Sequence, residues 1–194
     1  MKPNSTPMAA RAAPLADRLR ASDGLVGTRT RVRLFAPSDI DAAYLGWLND
    51  PEVVRYSNQR FVHHTAESAA AFLASFAGSE NLFLSIRRLA DDRAVGTMTV
   101  YRAVPHGTAD LGILVGDKQV WGQGCGREAW MLMLNWLDSQ RVVRKFTCGT
   151  AAPNRAMRRL AEASGMELEA TKCRHEIVDG VPVDLLFFAR FAAA

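Results

Sequence analysis

The run Leu111–Gly–Ile–Leu–Val115 alternates apolar side chains as a strand does, and three glycines at alternate positions, Gly122, Gly124 and Gly126, follow it. After them comes an apolar stretch too long for a strand, Ala129–Leu137. Glycine lets a backbone approach a ligand closely and adopt turn geometries closed to other residues. The first N–H groups of a helix have no intrahelical partner, and the helix dipole adds positive potential there. A strand, a glycine loop and a helix in this order therefore describe a cradle for an anionic group such as a pyrophosphate. Two better-known phosphate loops do not fit. A P-loop ends in Gly-Lys-Ser/Thr, whereas Gly126 is followed by Arg127–Glu128. A dinucleotide fingerprint opens a repeating strand–helix pattern, with an acidic residue about 20 residues on; no such repeat precedes this loop.

Trp121–Gly–Gln–Gly–Cys–Gly–Arg–Glu–Ala129 resembles the acyl-CoA loop of the GNAT N-acetyltransferases, in the form used by their RimJ/RimL-type branch. Downstream, Asn154–Arg–Ala–Met–Arg–Arg–Leu–Ala–Glu–Ala–Ser–Gly165–Met166 is similar to the family's Asn-to-Gly-Phe helix, with Met166 for the usual aromatic. Upstream, Tyr44–Leu–Gly–Trp–Leu–Asn–Asp–Pro–Glu–Val53 resembles the first helix and turn of the same branch. The resemblance spans residues 29–191.

It implies an α+β fold: a mixed, mostly antiparallel GNAT-like sheet with a splayed central strand pair and helices on both faces. It implies acetyl-CoA as co-substrate, with its pantetheine arm along Ile113, Leu114 and Val115. Trp121 and Gly122 open the cofactor-binding loop, and the pyrophosphate falls on the N–H groups of Gln123, Gly124, Cys125, Gly126 and Arg127. Asn154 contacts the pantetheine or orients the leaving thiol, and Arg159 reaches the cofactor phosphates. The family's Ala-Glu-Ile-Gly stretch is matched by Ala109–Asp110–Leu111–Gly112, which makes Asp110 the candidate base. Its side chain is shorter than Glu by one bond of about 1.5 Å, so a bridging water is expected. The usual acid is absent, because Ala161 takes the place of its tyrosine and Met157 that of the serine some relatives carry. The acceptor wall falls on Tyr56–His64, with Tyr56, Arg60 and His63 as candidates. Arg60 would suit an anionic group on the acceptor.

The expected activity is direct acetyl transfer to a primary amine: a protein N-terminus, an amino acid or an amino sugar. The alternative is a non-catalytic module that binds acyl-CoA as a sensor or partner. Cys125 near a helix start has the position of an activated thiol, but direct transfer leaves it no covalent role.

The 194 residues are 48% hydrophobic, enough for one sizeable core. The expected organisation is a mobile extension over 1–27, with at most a short helix, followed by a single domain over 28–194. No apolar run approaches the roughly 20 residues that span a bilayer. The three cysteines and four histidines show no metal spacing. A reducing cytoplasm and no metal are expected. The formal charge of +4 is scattered apart from Arg155, Arg158 and Arg159, which points away from nucleic acid. The expected partner is a small-molecule or peptide amine, and a homodimer is compatible with it.

Periodicity predicts a first strand at Thr30–Phe35 and a helix from Pro37 to Leu48 capped by Ser38. It also predicts a helix opened by Thr65 and Ser68, and a meander of Leu82–Leu89, Val95–Ala103 and Thr108–Val115. Lys145–Thr150, the Asn154 helix and a closing hairpin of Met166–Ile177 with Pro182–Phe191 complete the chain.

Overall fold

The computed structural model describes residues 13–193. Helix α1 (Leu15–Ala21) and strand β1 (Leu25–Val26) precede β2 (Thr30–Leu34), α2 (Ala42–Leu48) and α3 (Ala66–Ala74). The meander β3 (Leu82–Arg88), β4 (Ala94–Ala103) and β5 (Thr108–Val115) leads into α4 (Cys125–Ser139). Then come β6 (Lys145–Ala151), α5 (Arg155–Ala163), β7 (Glu167–Val178) and β8 (Val181–Phe191). Among the described residues the strands form one sheet in the order β1-β2-β3-β4-β5-β6-β8-β7. All neighbours are antiparallel except β5 and β6, which are parallel.

Alternation along each strand divides the interior in two. On β3, Leu82, Leu84 and Ile86 join a core with α1, α4 and α5, while Phe83 turns to the opposite core under α2 and α3. In the larger core Trp130 is fully buried, and its indole N–H donates to Ser164 Oγ at 3.1 Å, tying α4 to the end of α5. The smaller core is an aromatic cluster in which Phe83 stacks on Phe35 and Phe76 and meets Phe72 edge-on.

Two expectations are corrected. The first helix does not run from Pro37 under a Ser38 cap. Asp39, only 5% exposed, takes both guanidinium nitrogens of Arg33, one of Arg87 and the N–H of Ala36, which holds Pro37–Asp39 as a short 3-10 turn. The α-helix starts after Asp41, whose carboxylate accepts the N–H of Tyr44 at 2.8 Å. Nor does the fold begin at residue 28. Leu15 and Leu19 are buried in the main core, and β1 extends the sheet beside β2. The rest of the expected extension, residues 1–12, lies outside the described residues.

Candidate active site

The parallel pairing of β5 with β6 lasts for three residues, Thr108, Ala109 and Asp110 against Lys145, Phe146 and Thr147. Beyond it β5 continues to Val115 on β4, and β6 continues to Ala151 on β8. The two strands part, and each presents an edge without a ladder partner. The gap is a cleft of about 840 Å³.

The glycine loop and the start of α4 close one end of the cleft. Gly122 and Gly124 have φ of +73° and +85°, a backbone region that favours glycine. A side chain at Gly124 would meet nothing within 4 Å, because it would enter the cleft. At Gly126 the reason for glycine is contact: a Cβ there would lie 2.9 Å from Val115 Cγ2, so α4 sits tightly on β5. As the first residues of the helix, Cys125, Gly126 and Arg127 have N–H groups without intrahelical acceptors. Trp121 donates its indole N–H to Val115 O at 2.8 Å, joining the loop to the strand end.

The opposite wall is α5. Asn154 caps it by accepting the N–H of Met157 at 3.1 Å, and Met157, Arg159 and Leu160 face the cleft. The roof is the segment after α2, with Glu52, Arg55, Tyr56 and Ser57. Three ties hold this segment. Lys118 pairs with Asp50 at 2.7 Å and Glu52 at 2.8 Å. Arg55 Nε donates to Asp179 at 2.9 Å, and Arg60 reaches Glu176 at 3.3 Å and Ile177 O at 2.9 Å.

A second cavity of about 480 Å³ lies on the α2–α3 face of the sheet. Thr97, Thr99 and Tyr101 of β4 line one side; Leu48 and Phe72 form the other, with Ser57, Gln59 and His64 at its edge. The two cavities share Ser57, Gly112, Ile113 and Leu114. Asp110 stands where the strands part, its carboxylate accepting the Thr147 hydroxyl at 2.7 Å, with Tyr101 directly across on β4. The residue is exposed, yet partial desolvation of its carboxyl raises the pKa above the ordinary value, opposed by the Thr147 hydrogen bond. Burial also raises the Tyr101 phenol, with the Asp110 charge adding to it, and pushes the buried Cys148 thiol up to about 12.

The arrangement can hold an extended ligand along the free edge of β5, with an anionic part on the start of α4. It can also present that ligand's far end to a small molecule in the second cavity. Over residues 29–167 the sequence matches the Acetyltransferase (GNAT) domain. The chain belongs to the GNAT acetyltransferase family. Solved GNAT structures share its fold. An acetyltransferase from Bacillus anthracis superposes with a TM-score of 0.74 at 17% identity, over 87% of this chain and 98% of that one. The ribosomal alpha-N-protein acetyltransferase RimL, in complex with coenzyme A, gives 0.75 at 17% identity over 86% and 96%. Spermidine N-acetyltransferase from Vibrio cholerae, in complex with coenzyme A and spermine, gives 0.77 at 12% identity over 86% and 97%. No curated protein matches by sequence.

In this GNAT fold Ile113, Leu114, Val115, Trp121, Gly122, Gly124, Gly126, Arg127, Asn154 and Arg159 all line the large cleft. Gln123 is exposed and spends its amide on Gln119 O at 2.6 Å. Cys125 is 4% exposed and turned into the core. Tyr56, expected at the acceptor, lines the large cleft instead. Arg60 and His63 line neither cavity: Arg60 is held by Glu176, and the neighbour His64 takes the cavity position. Ala161 is fully buried, so a tyrosine there would meet the core; Met157, Arg159 and Leu160 are among the α5 residues that face the cleft instead. Thr97, Thr99 and Tyr101 belong to no motif, although their alternation within Gly96–Tyr101 marks one polar strand face. Among the described residues no group of three or more His, Cys, Asp or Glu is placed to hold a metal. No helix among them is long and apolar enough to cross a membrane.

Proposed function

We propose that this chain is an acetyl-CoA-dependent N-acetyltransferase of the RimJ/RimL-type branch that passes the acetyl group directly to a primary amine. The observation that carries the reading is the meeting of two cavities at Gly112–Leu114, one with a glycine-lined anion cradle and one of small-molecule size. An acyl-CoA fits the large cleft: the glycine loop leaves room for phosphates, the α4 N–H groups are free to receive them, and the β5 edge has no ladder partner. Bound there, acetyl-CoA supplies an activated acetyl thioester. Ile113 to Val115 align its pantetheine arm, Gly124 to Arg127 hold its pyrophosphate, and Arg127 and Arg159 add positive charge. Asn154, fixed by its capping bond, orients the thiol end.

Asp110 is the proposed base. An amine attacks only when neutral, and a carboxylate with raised pKa beside the shared wall can take its proton, directly or through water. Nitrogen bonds to the acetyl carbon as the carbon–sulfur bond breaks, and the thiolate takes a proton from water. The buried Cys125 supports direct transfer over an acyl-cysteine route. All three thiols are free, which fits a cytoplasmic protein. Release of free CoA thiol in the presence of amines tests the proposal. Acetyl-CoA binding without release by any amine would refute it and leave a sensor module.

A further inference from the structure

The acceptor cavity is uncharged. Among the described residues that line it there is no Asp, Glu, Lys or Arg. The charged side chains of the segment between α2 and α3 are paired away from it, Arg60 with Glu176 and Arg55 with Asp179. Asp110, across from Tyr101 on the neighbouring strand, can answer the one ammonium whose proton is removed; a polyamine would bring further ammonium groups with no lining carboxylate to receive them, and a free amino acid would bring a carboxylate with no lining cation. Placing either charge there unpaired is costly.

What the cavity does offer is hydroxyl groups. Thr97, Thr99 and Tyr101 occupy alternate positions of β4 and so share one face. Their hydroxyls make no hydrogen bond among the described residues. Facing them, Leu48 and Phe72 supply an apolar wall. Thr99 Oγ1, the middle of the row, lies against Gly112, where a Cβ would come within 2.7 Å of it, so the hydroxyl row abuts the wall shared with the large cleft.

We propose that the acceptor is a hydroxylated ring amine with no charged group other than its amine, of the size of a 2-amino-2-deoxyhexose. Its hydroxyls bond the β4 row, its C–H face packs on Leu48 and Phe72, and its amino group points at Gly112. This rests on the N-acetyltransferase reading above. A site built to bond a ligand hydroxyl rejects the analogue lacking it, because its own polar groups are then left unpaired.

The test compares initial rates of CoA-thiol release by the full chain with glucosamine, cyclohexylamine, spermidine, glycine and a tripeptide. The expected result is a kcat/KM for glucosamine at least tenfold above each of the others. Thr99→Val should raise the glucosamine KM at least fivefold with acetyl-CoA KM unchanged, and Thr99→Ser, which keeps the hydroxyl, should stay near wild type. Preference for spermidine, glycine, the tripeptide or cyclohexylamine would overturn this inference and leave the N-acetyltransferase reading standing. Equal KM values in Thr99→Val and wild type would also overturn it. Absence of thiol release with every amine, despite acetyl-CoA binding, would overturn both.

Discussion

Glu128 sits in the first turn of α4, and its carboxylate accepts five hydrogen bonds from the β1–β2 turn. Oε1 takes Thr28 N at 2.8 Å and Thr28 Oγ1 at 2.7 Å. Oε2 takes Arg29 N at 2.9 Å, Thr30 N at 2.7 Å and Thr30 Oγ1 at 2.8 Å. Burial alone would raise its pKa, but the hydroxyls of Thr28 and Thr30 and the N–H groups of Thr28 and Arg29 outweigh this and lower it to about 2. In Glu128→Gln the hydroxyls can turn to accept from the new amide, whereas the backbone N–H groups cannot. Whichever oxygen becomes nitrogen, at least one backbone donor loses its acceptor. The fall from 4.5 to about 2 corresponds to roughly 3 kcal/mol at full value. With the carboxylate partly open to water, about half of that survives, near 1.5 kcal/mol. That predicts a Tm lower by about 4 °C for a chain of this length. The folded pKa lies below the unfolded one, so this stabilisation is complete above pH 4.5 and is lost as the pH falls towards 2. Urea unfolding of both proteins at pH 7 and pH 3.5, followed by tryptophan fluorescence, measures the gap and its narrowing. Equal midpoints at pH 7, or a gap as wide at pH 3.5, would refute the clamp. Gly27→Ala should match the loss without changing charge, since a Cβ there would fall 2.5 Å from the Glu128 carboxyl carbon.

The proposed chemistry makes three further predictions. Gly124→Val should weaken acetyl-CoA binding at least a hundredfold by calorimetry while the protein stays folded, because the branched side chain enters the cleft from a backbone at φ +85°. Asp110→Asn should lower kcat by roughly 10²-fold with acetyl-CoA affinity nearly unchanged. Because partial desolvation raises the Asp110 pKa, the acid-side decline of wild-type activity should lie at a higher pH than an ordinary aspartate would give, and a pH–activity profile should show this limb missing in Asp110→Asn. Arg60→Ala should raise the acceptor KM severalfold with acetyl-CoA KM unchanged, since it frees residues 57–62 from a partly buried ion pair whose side chains are 15% and 16% exposed; unchanged acceptor KM would make the tie purely structural.

The large cleft was legible because its parts are neighbours in sequence: a strand, a glycine loop and a helix start within about fifteen residues, followed by an asparagine cap. The strands of the meander were legible for the same reason, since a period of two is local. The ties across the fold were not. Arg60 and Glu176 are 116 residues apart, and nothing near Arg60 shows that its guanidinium serves an ion pair instead of an anionic ligand. His63 and His64 are adjacent and chemically equal. His64 takes the inward position because its N–H is held by Asn49 Oδ1 at 2.9 Å and its ring contacts Gln59 O at 3.3 Å. Helix α1 has only Leu15 and Leu19 as large apolar residues among Asp, Arg and Ala, a signal too short to separate a docked helix from a free one.

One strand serves both cavities because side chains on β5 alternate. Ile113 and Val115 turn to the core under α4, while Leu114 packs with the aromatic cluster under α2 and α3, and Gly112 shares its face. The backbone between them is therefore the partition between the two cavities. Gly96 fixes how closely β4 backs this partition, because a Cβ there would lie 2.3 Å from Leu114 O. On the other edge β6 has turned away after Thr147, so the partition is bare where a ligand's thioester and an acceptor's amine would meet. A one-residue slip of β5 against β4 would turn Leu114 to the α4 core and Ile113 to the aromatic cluster, and would move Asp110 off the face it shares with Tyr101. Register along Gly96–Ala103 against Thr108–Val115 thus sets the chemistry as much as any single side chain does.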